Sequence, residues 1–237
     1  MRERHTETEQ GAIVFDADLV PEFVDDYFSA EFWAEKGQLE GRASGRGVVF
    51  FVASEHGNWA LRHYRRGGMM AGILKDRYWF SSADRTRSFR EWRFLAELGD
   101  LGLPVPAPVA ARFEMCGAFY QADLITARID KARPFNQVLL DEEPRIDRIC
   151  HDVGRCIRLF HDAKVNHADL NVHNIMVTPD QIYLLDFDKG RFEPAPGAWQ
   201  EQNLLRLRRS IFKVADAKLA AGRCEAIWRG VKQGYAE

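Results

Sequence analysis

Ile146, Ile149, Cys150, Val153, Ile157 and Phe160 recur at helical spacing, and directly behind that repeat stands NHADLNVHN, residues 166–174. The repeat predicts a long amphipathic helix ending near His161, with one face buried. The following nine residues hold three asparagines, two histidines and one aspartate, with Leu170 and Val172 between them. Behind them, NIMVTPDQIYLLDFD predicts a hairpin of two short strands turning at Pro179–Asp180. A loop this polar, set between two apolar elements, is a metal site, a solvated turn or a catalytic loop.

Elsewhere the front of the chain is strand-like. GAIVFDADLV reads as a strand and EFVDDYFSAEFWAEKG as an aromatic-rich helix. The apolar run Val48–Val52, the EHGN turn and the run after it predict a hairpin. Phe89, Trp92, Leu95 and Leu98 mark a helix, which Pro104, Pro106 and Pro108 are expected to end. PVAARFEM and GAFYQADLITA follow as strands joined at Cys116–Gly117, and QNLLRLRRSIFKVADAKLA reads as a helix near the C-terminus. The organisation is sheet-rich in front and helix-rich behind, which divides the chain into 1–126 and 127–237.

With 237 residues and 46 % hydrophobic content there is ample material for a buried core, and a net charge of −2 argues against a nucleic-acid partner. The charge is uneven, however. Residues 1–40 hold eleven Asp/Glu against three Lys/Arg, whereas residues 62–93 hold nine Lys/Arg against three Asp/Glu. The basic stretch suggests an anionic ligand or surface, or else a solvated face. Cys116, Cys150, Cys156 and Cys224 form no C-x-x-C pair, so reduced cytosolic thiols are expected. The charged opening MRERHTETEQ does not read as a signal peptide, and no apolar run reaches about 18 residues, so no membrane-spanning helix is expected.

In the polar loop, Asp169 could take a proton from an attacking hydroxyl, and Asn174 could offer an amide oxygen to Mg²⁺. Asp186 ends the apolar run IYLLDFD and could present a second oxygen ligand. A zinc site through His167 and His173 lacks further ligands at suitable spacing. H-x-D-x-x-x-x-N followed by D-F-x is the arrangement used for phosphoryl transfer. On these motifs the chain resembles the protein-kinase-like fold, with Ala168 in the usual place of Arg and Asp188 in that of Gly. The resemblance makes His167 a structural residue. Gly45-Arg46-Gly47-Val48 resembles part of a glycine-rich phosphate loop, although an ordinary turn fits equally well. WALR resembles the strand that carries the nucleotide-binding lysine, with Arg62 in its place, and Glu91 matches the helix glutamate that would pair with it.

LRHYRRGG, DRYWF, REWRFLAELGDLGLPVPAPVAAR, YQADLIT, NHADLNVHNIMV, YLLDFDKG and NLLRLRRSIFK together resemble the 3-deoxy-D-manno-octulosonic acid (Kdo) kinases, which are lipopolysaccharide core kinases. The resemblance implies an α+β, two-lobed protein-kinase-like fold with a sheet-rich N-lobe, a mainly helical C-lobe and a short activation segment. Sixteen residues separate Asp186 from Asn203, where the next helix is expected, and no A-P-E appears. The resemblance further implies ATP and Mg²⁺ as cofactors and phosphorylation of the Kdo 4-hydroxyl on Kdo-lipid IVA. It places the enzyme as a peripheral protein on the cytoplasmic side of the inner membrane. Arg65 and Arg66 are candidate contacts to that anionic glycolipid. The alternatives are a soluble small-molecule kinase of the aminoglycoside or choline kinase type and a nucleotide-binding pseudokinase. The oligomeric state is left open.

Overall fold

The computed structural model describes residues 1–44, 48–65, 76–141, 143–215 and 221–237. Gly45, Arg46, Gly47 and Arg66, all singled out above, lie outside the described residues. The chain forms two compact units, Met1–Glu97 with Pro106–Arg128, and Leu98–Val105 with Ile129–Glu237.

In the first unit the strands are β1 (Glu3–Thr8), β2 (Gly11–Asp16), β3 (Leu39–Ser44), β4 (Val48–Ser54), β5 (Gly57–His63), β6 (Tyr78–Trp79), β7 (Pro108–Cys116) and β8 (Phe119–Ala127). They form one sheet in the order β1-β2-β7-β8-β5-β4-β3, with β6 also pairing with β8. The neighbouring pairs are antiparallel. β1 is a departure from the sequence reading. Its residues ERHTET are mostly exposed, so it carries no apolar alternation and is placed by backbone pairing to β2 and by side-chain contacts such as the Glu3–Arg93 ion pair.

Successive strand residues face opposite sides of a sheet, and the register uses that rule to separate two tasks. Leu61 pairs with Ile125, and both join an apolar core with Ile13, Phe15 and Trp59. The segment predicted as one aromatic-rich helix packs here, but it is broken. A 3-10 turn spans Asp25–Phe28, and α1 (Ala30–Glu35) starts only after Ser29, whose hydroxyl caps it by accepting from Phe32 N–H at 3.2 Å. The break lets Phe23, Tyr27 and Trp33 gather around Trp59 at ring separations of 6.4, 5.7 and 5.6 Å. Arg62, one residue along, faces the other side, where it meets α2 (Arg87–Asp100), whose Phe89 and Trp92 are fully buried.

α2 stops before the prolines reach it. Gly102 takes φ +72° and the N–H groups of Gly102 and Leu103 bond the carbonyls of Gly99 and Leu98 at 2.9 and 3.0 Å. This left-handed glycine cap, not Pro104, ends the helix. Residues 98–105 then belong to the second unit, where the Pro104 carbonyl accepts from Leu184 N–H at 3.0 Å.

The second unit contains β9 (Arg133–Pro134), α3 (Phe135–Leu140), α4 (Ile146–Asp162), β10 (Val165–Asn166), β11 (Ile175–Val177), β12 (Ile182–Leu184), β13 (Arg191–Phe192), α5 (Ala198–Ala215) and α6 (Ala221–Ala236). α4 and the β11–β12 hairpin agree with the periodicity. α6 was not anticipated. It lies against α4 so closely that a Cβ on Gly234 would sit 1.9 Å from the His151 carbonyl oxygen, and one on Gly154 would sit 2.1 Å from that of Val231. Two glycines thus permit backbone contact between helices, which no hydrophobic repeat announces. Burial pushes the Cys150 and Cys156 thiols up to about 12, so both are unreactive packing groups.

His161, at the end of α4, accepts or donates a 2.8 Å hydrogen bond with the Tyr235 hydroxyl and meets the Trp199 ring edge-on at 5.0 Å, tying α4, α5 and α6 together. Burial pushes its pKa from 6.5 down to about 4, against the smaller opposing pull of a side-chain bond to Asn203 and of Asp162. The unfolded chain therefore takes up a proton below about 6.5 that the folded chain refuses, and the stability contributed by neutral His161 is lost as pH falls toward 4. Urea unfolding should show the destabilisation by His161→Phe to be largest near pH 7.5 and to shrink at pH 4.5.

Candidate active site

The polar loop is built on its own side chains. Behind α4, Lys164 at φ +60° turns the chain into β10, and Asn166 Oδ1 accepts from the Ala168 N–H at 2.9 Å. Ala168 sits at φ +59°, and the Asp169 N–H closes a tight turn onto the His167 carbonyl at 2.7 Å. Such a conformation costs roughly 1–3 kcal/mol and persists only where the surroundings enforce it. Enforcement comes from both directions. Leu170 and Val172 are fully buried, and the side-chain amides of Asn171 and Asn174 both donate to the Asp169 carbonyl, at 2.8 and 3.1 Å. Asp169 is thereby fixed from behind while its carboxylate stays about a quarter exposed.

α5 completes the scaffold. Asn203 accepts from His167 N–H at 3.3 Å and donates to Asn166 Oδ1 at 3.0 Å, while Ser210 Oγ accepts from Val172 N–H at 3.2 Å. Arg206 donates to Asp169 Oδ1 at 3.2 Å. Residues 203, 206 and 210 share one helical face with the buried Leu207 and Ile211, so that face is devoted to the loop. Sequence reading missed Asn203 and Ser210, although polar residues spaced along an apolar stripe were the available signal. α5 begins at Ala198, not Asn203, so the segment after Asp186 is shorter still.

His167 is buried and bonds the Leu185 carbonyl at 2.8 Å through Nε2, with its ring 4.6 Å from that of Phe187. Burial holds its pKa below the usual histidine value, outweighing the nearby Asp186 and Asp169 carboxylates. It is therefore neutral, and its Nε2–H donates. Asp186 does not end a strand as expected. β12 finishes at Leu184, and Asp186 takes φ +64° while Phe187 anchors beside it, stacked on Phe160 at 5.6 Å.

Asn174, half-buried, spends its amide N–H on the Asp169 carbonyl. The Leu185 N–H bonds the Asn174 carbonyl at 2.9 Å, so the backbone of Asn174 lies beside the residue that precedes Asp186. No cluster of three or more His, Cys, Asp or Glu is assembled for a metal among the described residues.

In the first unit, Arg62 on β5 forms an ion pair with Glu91 on α2. Glu91 is 3 % exposed and accepts a second bond from the Tyr64 hydroxyl at 2.5 Å, so it is no solvated helix carboxylate. The Arg62 guanidinium also lies 4.5 Å from the Tyr64 ring centre. Three of the nine cations in the basic stretch, Arg62, Arg87 and Arg93, are engaged within the fold. Arg87 stacks on Tyr78 at 4.5 Å, and Arg93 bonds Glu3 and Asp84 at 2.9 Å each, which ties the acidic β1 to α2. Arg65 is exposed.

A sheet whose strand cation is paired to a helix glutamate, and a helical unit with an H-x-D-x-x-x-x-N loop, define a protein-kinase-like fold. Residues 30–235 match the model of the lipopolysaccharide kinase (Kdo/WaaP) family, and the chain belongs to that family. It is 40 % identical to a 3-deoxy-D-manno-octulosonic acid kinase of Vibrio cholerae over 86 % of each chain. With the protein of the same name from Photobacterium profundum it shares 39 % over 94 % of each. Among solved structures, WaaP in complex with acyl carrier protein superposes with a TM-score of 0.52 at 15 % identity, over 84 % of this chain and 80 % of that one.

Removing the Arg62 guanidinium leaves a buried carboxylate without its cation, which typically costs about 3–5 kcal/mol. Arg62→Ala should therefore lower the melting temperature and raise the KM for ATP, and Arg62→Lys should recover part of both. Unchanged ATP kinetics in a folded Ala variant would confine Arg62 to a structural role.

Proposed function

We propose that the protein transfers the γ-phosphoryl group of ATP to the 4-hydroxyl of the Kdo residue in Kdo-lipid IVA, in assembly of the lipopolysaccharide inner core. The observation that carries this reading is the set of Asp169 and Asn174 on the polar loop and Asp186 on the turn joined to it by His167, in a chain about 40 % identical to proteins named for that sugar acid. In this reading the first unit, taken in sequence as 1–126, meets the nucleotide through Arg62, oriented by Glu91, with Gly45 and Gly47 approaching the phosphates. Residues 127–237 carry the chemistry.

Asp169 accepts the proton as the acceptor hydroxyl oxygen forms its bond to the γ-phosphorus and the bond to the ADP oxygen breaks. Asn174 Oδ1 and the Asp186 carboxylate would hold Mg²⁺, which supplies charge neutralisation on the phosphates when bound. The rigid turn at Ala168 keeps Asp169 in place, so its contribution is positioning as well as proton transfer. Arg65 and Arg66 would meet anionic groups of the glycolipid.

Incubation of Kdo-lipid IVA with ATP and Mg²⁺, read by mass spectrometry, should show one added phosphate. Asp169→Asn should reduce the rate on the order of 10²- to 10⁴-fold with unchanged melting. Transfer to soluble aminoglycosides or choline instead would favour the alternative small-molecule kinase, and absence of any ATP turnover would favour a pseudokinase.

No helix among the described residues is long and apolar enough to cross a membrane. The acceptor's acyl chains nonetheless lie in one, and we propose peripheral attachment at the cytoplasmic face of the inner membrane. α5 does not insert as an amphipathic helix, because Leu207 and Ile211 are fully buried and Arg208 is held by Glu225 at 3.3 Å. Attachment then rests on surface charge, with each juxtamembrane Lys/Arg contributing about 1 kcal/mol. Flotation with anionic liposomes at low salt and release at high salt is the expected result. Failure to float at low salt would leave recruitment to the substrate alone.

A further inference from the structure

Three arginines stand on α5 within four residues, and they are used differently. Arg208 bonds Glu225 and lies over the Phe212 ring at 4.6 Å, and Arg209 donates to the Leu205 carbonyl of its own helix at 3.3 Å. Arg206 alone of the three reaches the polar loop, donating one N–H to Asp169 Oδ1 at 3.2 Å. Its side chain is 50 % exposed and that of Asp169 27 %. An ion pair this open contributes little to stability, about 0–1 kcal/mol, so folding does not account for it. A guanidinium carries five donors in a planar fork that matches a carboxylate, and Asp169 engages a single nitrogen.

Whatever hydroxyl Asp169 serves must approach its carboxylate, and the acceptor then meets Arg206 as well. The sugar named in the relatives is an acid, with a carboxylate on the same ring system as its hydroxyls. We infer that Arg206 is the acceptor-binding cation: it keeps its contact with Asp169 and turns its exposed fork to the carboxylate of the sugar acid. The inference rests on the proposed acceptor and adds the determinant that separates acidic from neutral sugars. Asn203 and Ser210 fix the loop against the same helix face, so the distance between the proton acceptor and the carboxylate-binding group is held by a rigid element.

The test compares Kdo-lipid IVA with its neutral carboxamide as acceptor, for wild type, Arg206→Gln and Arg206→Lys, with melting curves for each. Wild type should favour the acid by on the order of 10- to 100-fold, through KM, as expected for one charge-assisted hydrogen-bonded pair. Arg206→Gln should lose that preference with the KM for ATP unchanged, and Arg206→Lys should keep part of it. Equal use of both acceptors by wild type overturns the inference without any variant. So does an Arg206→Gln enzyme that keeps the preference, or one that loses only kcat, since Arg206 would then merely hold Asp169 in place. Wild-type turnover of the acid acceptor reports separately on the activity itself, and its absence overturns both readings.

Discussion

His167 donates a hydrogen bond to the Leu185 carbonyl from a buried ring, and through that bond the loop carrying Asp169 is joined to the turn carrying Asp186. Each of these aspartates follows an energetically unfavourable piece of backbone, Ala168 in one case and Asp186 itself in the other, both at positive φ. Neither turn would hold in isolation. The cost is met by burial of Leu170, Val172 and Phe187 on either side and by amides that bond the loop backbone at each step. The neutrality of His167 belongs to the same arrangement, since a charged imidazolium in that position would lose its hydration with only two carboxylates in compensation.

The asparagines of the loop illustrate how polarity that looks like chemistry is often architecture. Asn171 bonds backbone groups, and Asn166 bonds the loop backbone, the Asn203 amide and the Glu193 carboxylate, so both shape the turn. Asn174 also serves the scaffold, since its N–H steadies the Asp169 carbonyl. A similar sorting holds for the basic stretch of the first unit. Counted as charge, residues 62–93 look like an anion-binding surface, yet Arg62, Arg87 and Arg93 are committed to Glu91, to aromatic rings and to the acidic N-terminal strand. Charge composition gave a direction for the ligand but overstated the free cation.

Family membership and local geometry support one another at different depths. The kinship covers most of the chain and carries the class of reaction, whereas a likeness at 15 % identity speaks for the fold alone. What the geometry adds is the division of labour within α5, which is at once a core helix, through Leu207 and Ile211, and the wall against which the loop is set.

The long helix α4, the β11–β12 hairpin, the β4–β5 and β7–β8 pairs and the loop between them were legible in the sequence, because each is written in local periodicity and turn chemistry. The identity of Asp169, Asn174 and Asp186 as chemical candidates was legible for the same reason, since their spacing is short and their types are specific. Other features depended on partners distant in the chain. β1 has no apolar pattern and exists through pairing with β2, and α6 is placed by two glycines that allow backbone contact with α4. The aromatic segment 22–37 breaks after a 3-10 turn because its rings gather around Trp59. The Arg62–Glu91 pair was expected only through the family resemblance, since the two residues lie 29 positions apart, and the contact of Arg206 with Asp169 was not expected at all until α5 brought them together. Periodicity determines which residues share a face, but only tertiary packing decides what that face meets, because a contact between residues 37 positions apart leaves no trace in local order.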